Sequence, residues 1–259
     1  MNILFMNTLS VILITRNEQA NLDACLSSVK DIANEIVVVD SMSSDETLAI
    51  AQSYNAVISS PSDWPGFGAQ KNRALDLATQ DWVLSIDADE RLSEALREEI
   101  KAVLANPAVD CYAIPRRSYY CGRLMDYSGW NPDFVTRLFK RGTSRFSDHL
   151  VHEKLLTPSP ALPLKSAMLH FSVTNFSQVL NKVDRYSTDS AQQAFLTGKK
   201  SSVSKAVLHG LWSFIRTYFF KLGFLDGPHG LALAISNAEG SYYRYLKLWL
   251  LNSKVNRVD

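Results

Sequence analysis

Carboxylates follow a short apolar run at residues 82–90. The run Trp82–Ile86 is typical of a buried strand, and it leads directly into Asp87, Asp89 and Glu90. In open α/β sheets, ligands bind outside the carboxyl ends of the strands. Two carboxylates with Asp-x-Asp spacing lie close enough to share one divalent cation and the phosphate oxygens bound to it. The pattern predicts a metal and phosphate site, and an acidic turn before the next helix is the alternative.

Polar side chains also follow two earlier apolar runs. Thr15 and Glu18 come after one run, and Asp40 comes after the next. A carboxylate at a strand end can accept hydrogen bonds from a ribose hydroxyl or a uracil N–H. This predicts a nucleoside contact at Asp40, and the alternative is an N-terminal cap of the following helix.

A helix predicted over Gly68–Thr79 has two cations near its start. Lys71 and Arg73 lie where the helix dipole favours bound anions. The pattern predicts a diphosphate contact, with a solvated basic turn as the alternative.

Short β-branched runs alternate with helical patterns over the first hundred residues, which predicts βα units and a parallel sheet. The predicted strands are Ser10–Ile14, Glu35–Val39, Ala56–Ser59 and Trp82–Ile86. A first helix is predicted over Gln19–Lys30. A second opens at Ser43, where Glu46 completes a predicted capping box. These elements would bring the polar residues to one edge of the sheet.

The second half of the chain changes character twice. Residues 107–174 contain aromatic runs separated by Gly, Pro and Asn, which predicts short, partly antiparallel strands with long loops. Trp130, Tyr127 and Tyr119 or Tyr120 are candidates for stacking on sugar rings, or for ordinary core packing. From Asn175 onward the periodicity is helical, and one helix carries a wide apolar stripe. The stripe consists of Val207, Leu208, Leu211, Trp212, Ile215, Tyr218, Phe219 and Leu222.

Composition limits the function classes. The 259 residues are 46% hydrophobic and 20% charged, with a net charge of +1, which argues against a general nucleic-acid binder. Residues 195–259 hold nine basic and three acidic side chains, a balance of +6. Three cysteines without CxxC spacing suggest neither a disulfide framework nor a zinc site. No signal peptide or spanning helix is predicted, so a cytoplasmic protein with peripheral contact to an anionic membrane is expected.

Four motifs in this order, TRNE, VVVDSMSSDET, GAQKNRAL and DWVLSIDADE, resemble the family 2 glycosyltransferases of GT-A fold. Many members carry a second acid where this chain has Ser41. The later segments RLFKRGTSRFSDHLVHEKL and YFFKLGFLDGPHGLALAISNA are similar to those of bacterial lipopolysaccharide inner-core β-1,4-glucosyltransferases. The resemblance covers most of the chain.

The resemblance assigns roles to individual positions. It implies a nucleoside pocket of Thr15, Glu18 and Asp40, a diphosphate contact at Lys71, and a site for Mg²⁺ or Mn²⁺ at Asp87 and Asp89, with Asp87 also near the donor. It also marks the His152-Glu153 pair as part of the site.

Inverting transfer needs a general base that takes the proton of the acceptor hydroxyl. We favour Glu153 as the base and His152 as a third metal ligand or diphosphate contact, and Asp148 is the competing base.

The sequence thus predicts an α/β fold, with a GT-A (Rossmann-like) nucleotide-sugar-binding domain over residues 1–174 and a helical, membrane-associating region over residues 175–259. The resemblance implies metal-dependent, inverting transfer of a hexose. It also implies UDP-glucose as the donor and, as the acceptor, a heptose of a lipid-anchored lipopolysaccharide core at the cytoplasmic face of the inner membrane.

Three alternatives remain open at this point. The first is a transferase with another donor or acceptor, such as a capsule lipid or a protein. The second is a sugar nucleotidyltransferase, and the third is a non-enzymatic scaffold at the membrane.

Overall fold

A computed structural model describes residues 7–147 and 154–255, with side chains to residue 253. The chain divides into two compact units. The first holds the described residues up to Arg116 together with Asp133–His170, and the second holds Arg117–Pro132 and the residues from Phe171 onward. The predicted boundary at residue 174 stays a prediction.

The first unit begins with βα units, as the alternating runs predict. The strands are β1 (Leu9–Thr15), β2 (Glu35–Asp40), β3 (Val57–Ser59) and β4 (Trp82–Ser85), and the helices are α1 (Leu22–Val29), α2 (Thr47–Ser53) and α3 (Phe67–Leu77). The strands are parallel in the order β3-β2-β1-β4. Buried β-branched and leucine side chains from both faces of these strands form two core clusters. The predicted α/β class and parallel sheet are therefore confirmed.

Antiparallel strands extend this sheet, as predicted for residues 107–174. The next elements are β5 (Glu90–Leu92), α4 (Glu94–Ala105), β6 (Cys111–Tyr120), β7 (Arg123–Leu124), β8 (Phe134–Lys140), β9 (Arg145–Phe146), β10 (Leu155–Leu156), β11 (Leu162–Pro163) and β12 (Met168–Val173). β8 lies antiparallel between β4 and β6. β12 pairs antiparallel with β5, which sets His170 opposite Glu90.

The second unit is mainly helical. It contains α5 (Phe176–Leu196), α6 (Val203–Ile215), a π-helical turn (Arg216–Phe220), a 3₁₀ turn (Gly223–Asp226) and α7 (Gly227–Val255). Asn175 and Ser202 cap α5 and α6 by accepting backbone N–H bonds. α6 packs closely on α7, since a Cβ added to Gly210 would lie 3.1 Å from the Cβ of Tyr242. In the described part of the chain, no helix is both long and apolar enough to span a bilayer.

The predicted capping box at Ser43 and Glu46 is wrong. α2 starts at Thr47, and Glu46 is its N-cap residue without a side-chain capping bond. The Ser43 hydroxyl and amide both donate to Asp40, at 2.6 and 2.7 Å. Ser43 therefore bonds to the buried Asp40 carboxylate instead of capping the helix.

Candidate active site

The carboxyl ends of β1 and β2 meet in a buried hydrogen bond. Thr15 and Asp40 are register partners, and the Thr15 hydroxyl donates to the Asp40 carboxylate at 2.8 Å. Asp40 is fully buried and also accepts the two bonds from Ser43. Its carboxylate therefore fixes the turn after β2. The structure brings Thr15 and Asp40 together, and their contact with a nucleoside stays a prediction.

The two turns that follow β1 and β2 are tied to each other. The amide of Asn17 donates to the Ser43 hydroxyl at 2.8 Å, and the Asn17 side chain accepts from the amide of Ser44 at 2.9 Å. Asn17 and Met42 both have positive φ, at 55° and 58°. These contacts hold the backbone at the sheet edge, where the predicted ligand site lies.

Asp87 lies at the end of β4 between two cations. One carboxylate oxygen is 3.0 Å from the Lys71 ammonium, and the other pairs with the Arg137 guanidinium. Burial alone would raise the pKa of Asp87, but the charges of Arg137 and Lys71 outweigh burial and hold that pKa well below its usual range. Asp87 is therefore ionised at neutral pH, and both of its oxygens are occupied.

The charge pairing continues into the interior. Arg137 also lies 2.8 Å from Glu90, which is completely buried. Glu90 accepts the amide of Asp87 at 2.9 Å and lies 3.4 Å from Arg116, which pairs with Asp133 at 2.7 Å. The pairing of Asp87 and Glu90 with Arg137 raises the pKa of that guanidinium, although burial opposes this. We refer to Lys71, Asp87, Arg137, Glu90, Arg116 and Asp133 as the charge network.

One donor in the charge network has no partner. The buried Nε of Arg137 makes no hydrogen bond within the described part of the chain. An unpaired buried N–H costs free energy, so a ligand oxygen or water there would be favourable.

Asp89 has different surroundings from Asp87. Its carboxylate lies 3.3 Å from Nε2 of His170, and the two side chains are 26% and 14% exposed. A carboxylate oxygen and an imidazole nitrogen at this separation can bind one divalent cation. Among residues 7–147 and 154–253, no group of three or more His, Cys, Asp or Glu side chains is arranged to hold a metal. The described donor set therefore fits a cation that takes its other ligands from a substrate or water.

Glu18 is the third acid facing this edge. Burial raises the pKa of Glu18, and the charges of Asp89, Asp45 and Asp87 raise it further, whereas a hydrogen bond from Asn21 lowers it. The acids therefore form a region of negative potential that a cation would relieve.

The two cations predicted on α3 lie in different places. Lys71 reaches Asp87, whereas Arg73 pairs with Asp63 at 2.6 Å. Gly66 precedes α3 with a φ of 111° and makes no side-chain capping bond. The structure thus brings only Lys71 to the acidic edge.

A family model for glycosyl transferase family 2 matches residues 10–156, more than half of the chain. The chain belongs to this family. The predicted enzyme class, a glycosyltransferase, is confirmed, and the assignment decides against both the sugar nucleotidyltransferase and the scaffold. The predicted α/β GT-A fold with a C-terminal helical region is also confirmed.

Relatives of full length support the family assignment. A glycosyltransferase of Rickettsia prowazekii (strain Madrid E) is 31% identical over 98% of this chain and 90% of its own length. The lipopolysaccharide core biosynthesis glycosyltransferase LpsC of Rhizobium meliloti is 32% identical over 92% of this chain and 93% of its own length. The solved structure of S. aureus TarS 1–349 covers 95% of this chain and 92% of its own, at 16% identity and a TM-score of 0.48. The assignment rests on the family model and the two sequence relatives.

Three predicted catalytic residues of this family 2 glycosyltransferase, Asp148, His152 and Glu153, lie outside the described residues. Their roles stay predictions. Two other residues of the site were missed by the sequence reasoning. Arg137 carries a local signal, because a charged residue inside the apolar run of β8 needs a buried partner. His170 has no comparable sequence signal, because a single histidine within a strand such as β12 does not indicate a site by itself.

The predicted sugar-stacking aromatics of the glycosyltransferase all lie in the second unit. Tyr120 is buried and meets the Trp130 ring edge-on at 5.8 Å between centroids. Tyr119 stacks on Phe171 at 4.7 Å. Tyr127 is exposed, and Trp130 is half-buried. Tyr120 is therefore a core residue, and the half-buried Trp130 retains an accessible surface.

Proposed function

We propose that the protein transfers a hexose from a UDP-sugar, with UDP-glucose as the donor, to a heptose of a lipopolysaccharide inner core, with inversion at the anomeric carbon. The observation that carries the proposal is the pairing of Asp89 with His170 beside the ionised Asp87, at the carboxyl edge of a family 2 sheet. The acceptor class is supported by LpsC, a relative whose name gives lipopolysaccharide core biosynthesis.

Asp89 and His170 would hold the divalent cation. Mg²⁺ or Mn²⁺ bound there would stabilise negative charge on the departing diphosphate. Asp87 is a weaker ligand candidate because Lys71 and Arg137 already neutralise its carboxylate. These two cations supply positive charge at the carboxyl edge for phosphate oxygens.

The proton of the acceptor hydroxyl must leave as that oxygen attacks the anomeric carbon. Glu153 is the proposed base, and Asp148 is its competitor. The bond between the anomeric carbon and the diphosphate oxygen breaks, and UDP departs. At the other end of the donor, Glu18 and the Thr15–Asp40 pair are proposed to lie at the nucleoside.

Thermal unfolding with nucleotide sugars tests the donor and the cation together. At a hundred times its Kd, a ligand that binds only the folded state adds about 2.7 kcal/mol of stability, which is about 5–10 °C for a chain of this length. We expect this shift with UDP-glucose and Mn²⁺, and a smaller shift without Mn²⁺.

Asp89→Asn and His170→Gln are expected to remove the Mn²⁺-dependent part of the shift. Asp110→Asn is a matched control, because that exposed carboxylate pairs loosely with Lys140 at 3.9 Å in the same unit. A full Mn²⁺-dependent shift in Asp89→Asn would rule out the proposed cation site. The absence of a shift with every UDP- and GDP-sugar would count against the proposed function.

The predicted membrane contact is proposed to use the exposed face of α6 and the π-helical turn. Small side chains of α6 face α7, where Ala206 and Gly210 are buried. The opposite face exposes large apolar side chains, with Leu208 at 66% and Phe220 at 70% exposure. Other exposed members are Val207, Leu211, Trp212, Phe219 and Leu222. We call this set the apolar face.

Cations border the apolar face. Lys205 and Arg216 are exposed in the same helical stretch. Exposed apolar side chains edged by Lys and Arg suit the interface of an anionic bilayer. Membrane attachment would confine the enzyme to the surface that carries its lipid-anchored acceptor.

Sedimentation with vesicles tests this contact. We expect binding to phosphatidylglycerol vesicles that high salt weakens, and less binding to phosphatidylcholine. Leu208→Glu and Phe220→Glu should each reduce the affinity about tenfold, from lost apolar burial and added charge repulsion. Leu77→Glu, on α3, introduces the same charge as a control. The same affinity in all three variants would refute this membrane surface.

A further inference from the structure

A polar cavity of about 290 Å³ opens within the helical second unit. Its lining consists of Ser128, Gly129, Trp130, Ser213, Arg216, Thr217, Lys221 and Asn237. It therefore combines two cations, one aromatic ring and several hydroxyl and amide groups. Small-molecule sites typically enclose about 300–1,000 Å³, so this cavity lies just below the lower end of that range and suits a ligand no larger than about one sugar residue.

A glycine with positive φ and close packing shape the wall of this cavity. Gly129 has a φ of 80°, and the Lys221 side chain occupies the space that a Cβ would fill, with Nζ only 2.2 Å from that position. The amide of Ser128 donates to the carbonyl of Lys221 at 2.9 Å. A side chain at residue 129 would therefore displace the ammonium group.

Asp226 holds the loop that supplies three lining residues. This carboxylate is buried and accepts the Ser128 hydroxyl at 2.8 Å and the amides of Asp126 and Tyr127 at 3.1–3.3 Å. Gly223 packs against the same loop, since its Cβ would lie 3.0 Å from the Ser128 hydroxyl. The cavity wall is thus fixed by a buried charge rather than left as a solvated loop.

Two cations, Arg216 and Lys221, line the cavity. Within the described residues, neither Arg216 nor Lys221 has a carboxylate at ion-pairing distance. Both lie at the ends of the π-helical turn, a local widening that is often found at functional sites. An arginine and a lysine in one cavity can bind a phosphate or carboxylate group.

We propose that this cavity binds an anionic sugar residue of the acceptor, one that carries a phosphate or a carboxylate. Arg216 and Lys221 would bind the anionic group. Ser213 donates to the carbonyl of Asn237 at 3.1 Å, and the Asn237 amide donates to the Thr217 hydroxyl at 3.4 Å. The remaining hydrogen-bonding capacity of these groups matches sugar hydroxyls, and the Trp130 ring offers an apolar surface. This inference rests on the proposed function, because it assigns the site to the glycan acceptor.

The lining favours a sugar over a phospholipid headgroup. Four uncharged hydrogen-bonding side chains and an aromatic ring exceed what a phosphate alone needs, whereas they suit a polyhydroxylated ring. Phe219 and Phe220 of the apolar face lie between Arg216 and Lys221 in the chain, so the cavity is part of the segment proposed to contact the membrane.

Calorimetric titration of the full chain tests this site with four probes. Glucose 6-phosphate and glucuronate are expected to bind, inorganic phosphate more weakly, and glucose not measurably. Arg216→Gln removes a charge-assisted hydrogen bond and should weaken the two anionic sugars about tenfold or more. Gly129→Ala should weaken them similarly by displacing Lys221. Arg185→Gln, at an exposed cation stacked on Tyr186 in the same unit, should bind as the wild type does.

Three results would overturn the proposal. The first is a failure of both anionic sugars to bind, and the second is equal binding by wild type and Arg216→Gln. The third is that Arg216→Gln loses affinity for phosphatidylglycerol vesicles but not for the two anionic sugars, which would reassign the cavity to a lipid headgroup.

Thermal shifts of the wild type with UDP-glucose separate the two hypotheses. A normal shift without anionic-sugar binding refutes the cavity assignment alone. Anionic-sugar binding without a response to any nucleotide sugar refutes the proposed function alone.

Discussion

Arg137→Met is expected to destabilise the first unit through the charge network. The guanidinium is only 8% exposed and pairs with Asp87 and with the fully buried Glu90. Removing one partner of a buried ion pair costs about 3–5 kcal/mol, because the remaining charge stays buried. Glu90 keeps Arg116 at 3.4 Å and the amide of Asp87 at 2.9 Å. We therefore expect the lower end, about 3 kcal/mol.

Native-state hydrogen exchange is the assay, because it reports each unit separately. A loss of about 3 kcal/mol increases exchange of the β4 and β8 amides roughly a hundredfold, at 1.36 kcal/mol per tenfold. Peptides from α5 and α7 serve as an internal reference. Arg145→Met is the matched control, because its ion pair with Asp76 is exposed and should contribute at most about 1 kcal/mol.

The same variant should change the dependence of stability on pH. The pKa of Asp87 is depressed in the folded state, so its contribution is complete above the unfolded value of about 3.9 and is lost as the pH falls below it. Without Arg137 that depression is smaller, so Arg137→Met should lose less stability than wild type as the pH falls below about 3.9.

Equal exchange in Arg137→Met and Arg145→Met would refute this reasoning. It would mean that the buried pairing contributes no more than an exposed one. The double variant Arg137→Met/Glu90→Gln offers a second check. It should be more stable than the sum of the two single effects, because it removes the buried charge that Arg137→Met leaves behind.

Three further predictions follow from buried or crowded carboxylates. Asp40→Asn should lower the stability of the first unit by about 1–3 kcal/mol, because an amide cannot accept all three hydrogen bonds that the carboxylate accepts. Hydrogen exchange at β1 and β2 measures this loss, and unchanged exchange would contradict the prediction. Glu18→Gln should slow exchange of α1 relative to wild type at pH 7, because burial and neighbouring acids raise the pKa of Glu18 and disfavour its charge. That gain should vanish below about pH 4, where the carboxyl is protonated in both states, and a gain that persists there would count against a charge effect. Asp226→Asn should speed hydrogen exchange at residues 126–130 by about tenfold or more, since it weakens the three hydrogen bonds that Asp226 accepts from this loop. Exchange as slow as in the wild type would show that other contacts hold the loop.

Local periodicity was sufficient to predict the elements that position the site. The runs at β1, β2 and β4 are apolar and mostly β-branched or leucine, so their strands agree with the predicted ranges within one or two residues. The carboxylates at their ends follow from chain order alone. The capping-box prediction was wrong because the Ser43 hydroxyl can bond either to the start of the next helix or to Asp40. Only the folded turn shows that it bonds to Asp40.

Long-range pairing is what the sequence could not supply. Arg137 meets Asp87 across 50 positions of the chain, and no spacing rule connects a residue of β8 with the end of β4. His170 reaches Asp89 only because β12 pairs antiparallel with β5, which sets it opposite Glu90. Both contacts depend on strand order, and the order of antiparallel strands is not encoded in local periodicity.

The structure gives the two aspartates of the Asp-x-Asp motif different surroundings, and this difference bears on their chemistry. A cation approaching Asp87 must compete with Lys71 and Arg137 for both carboxylate oxygens. At Asp89 it meets an imidazole, which in its neutral form offers a lone pair to the metal. Binding at Asp89 thus keeps the charge network intact, whereas binding at Asp87 would release two buried cations. The positive charge on Lys71 and Arg137 would then remain at the carboxyl edge, where it would stabilise the departing diphosphate of the proposed reaction.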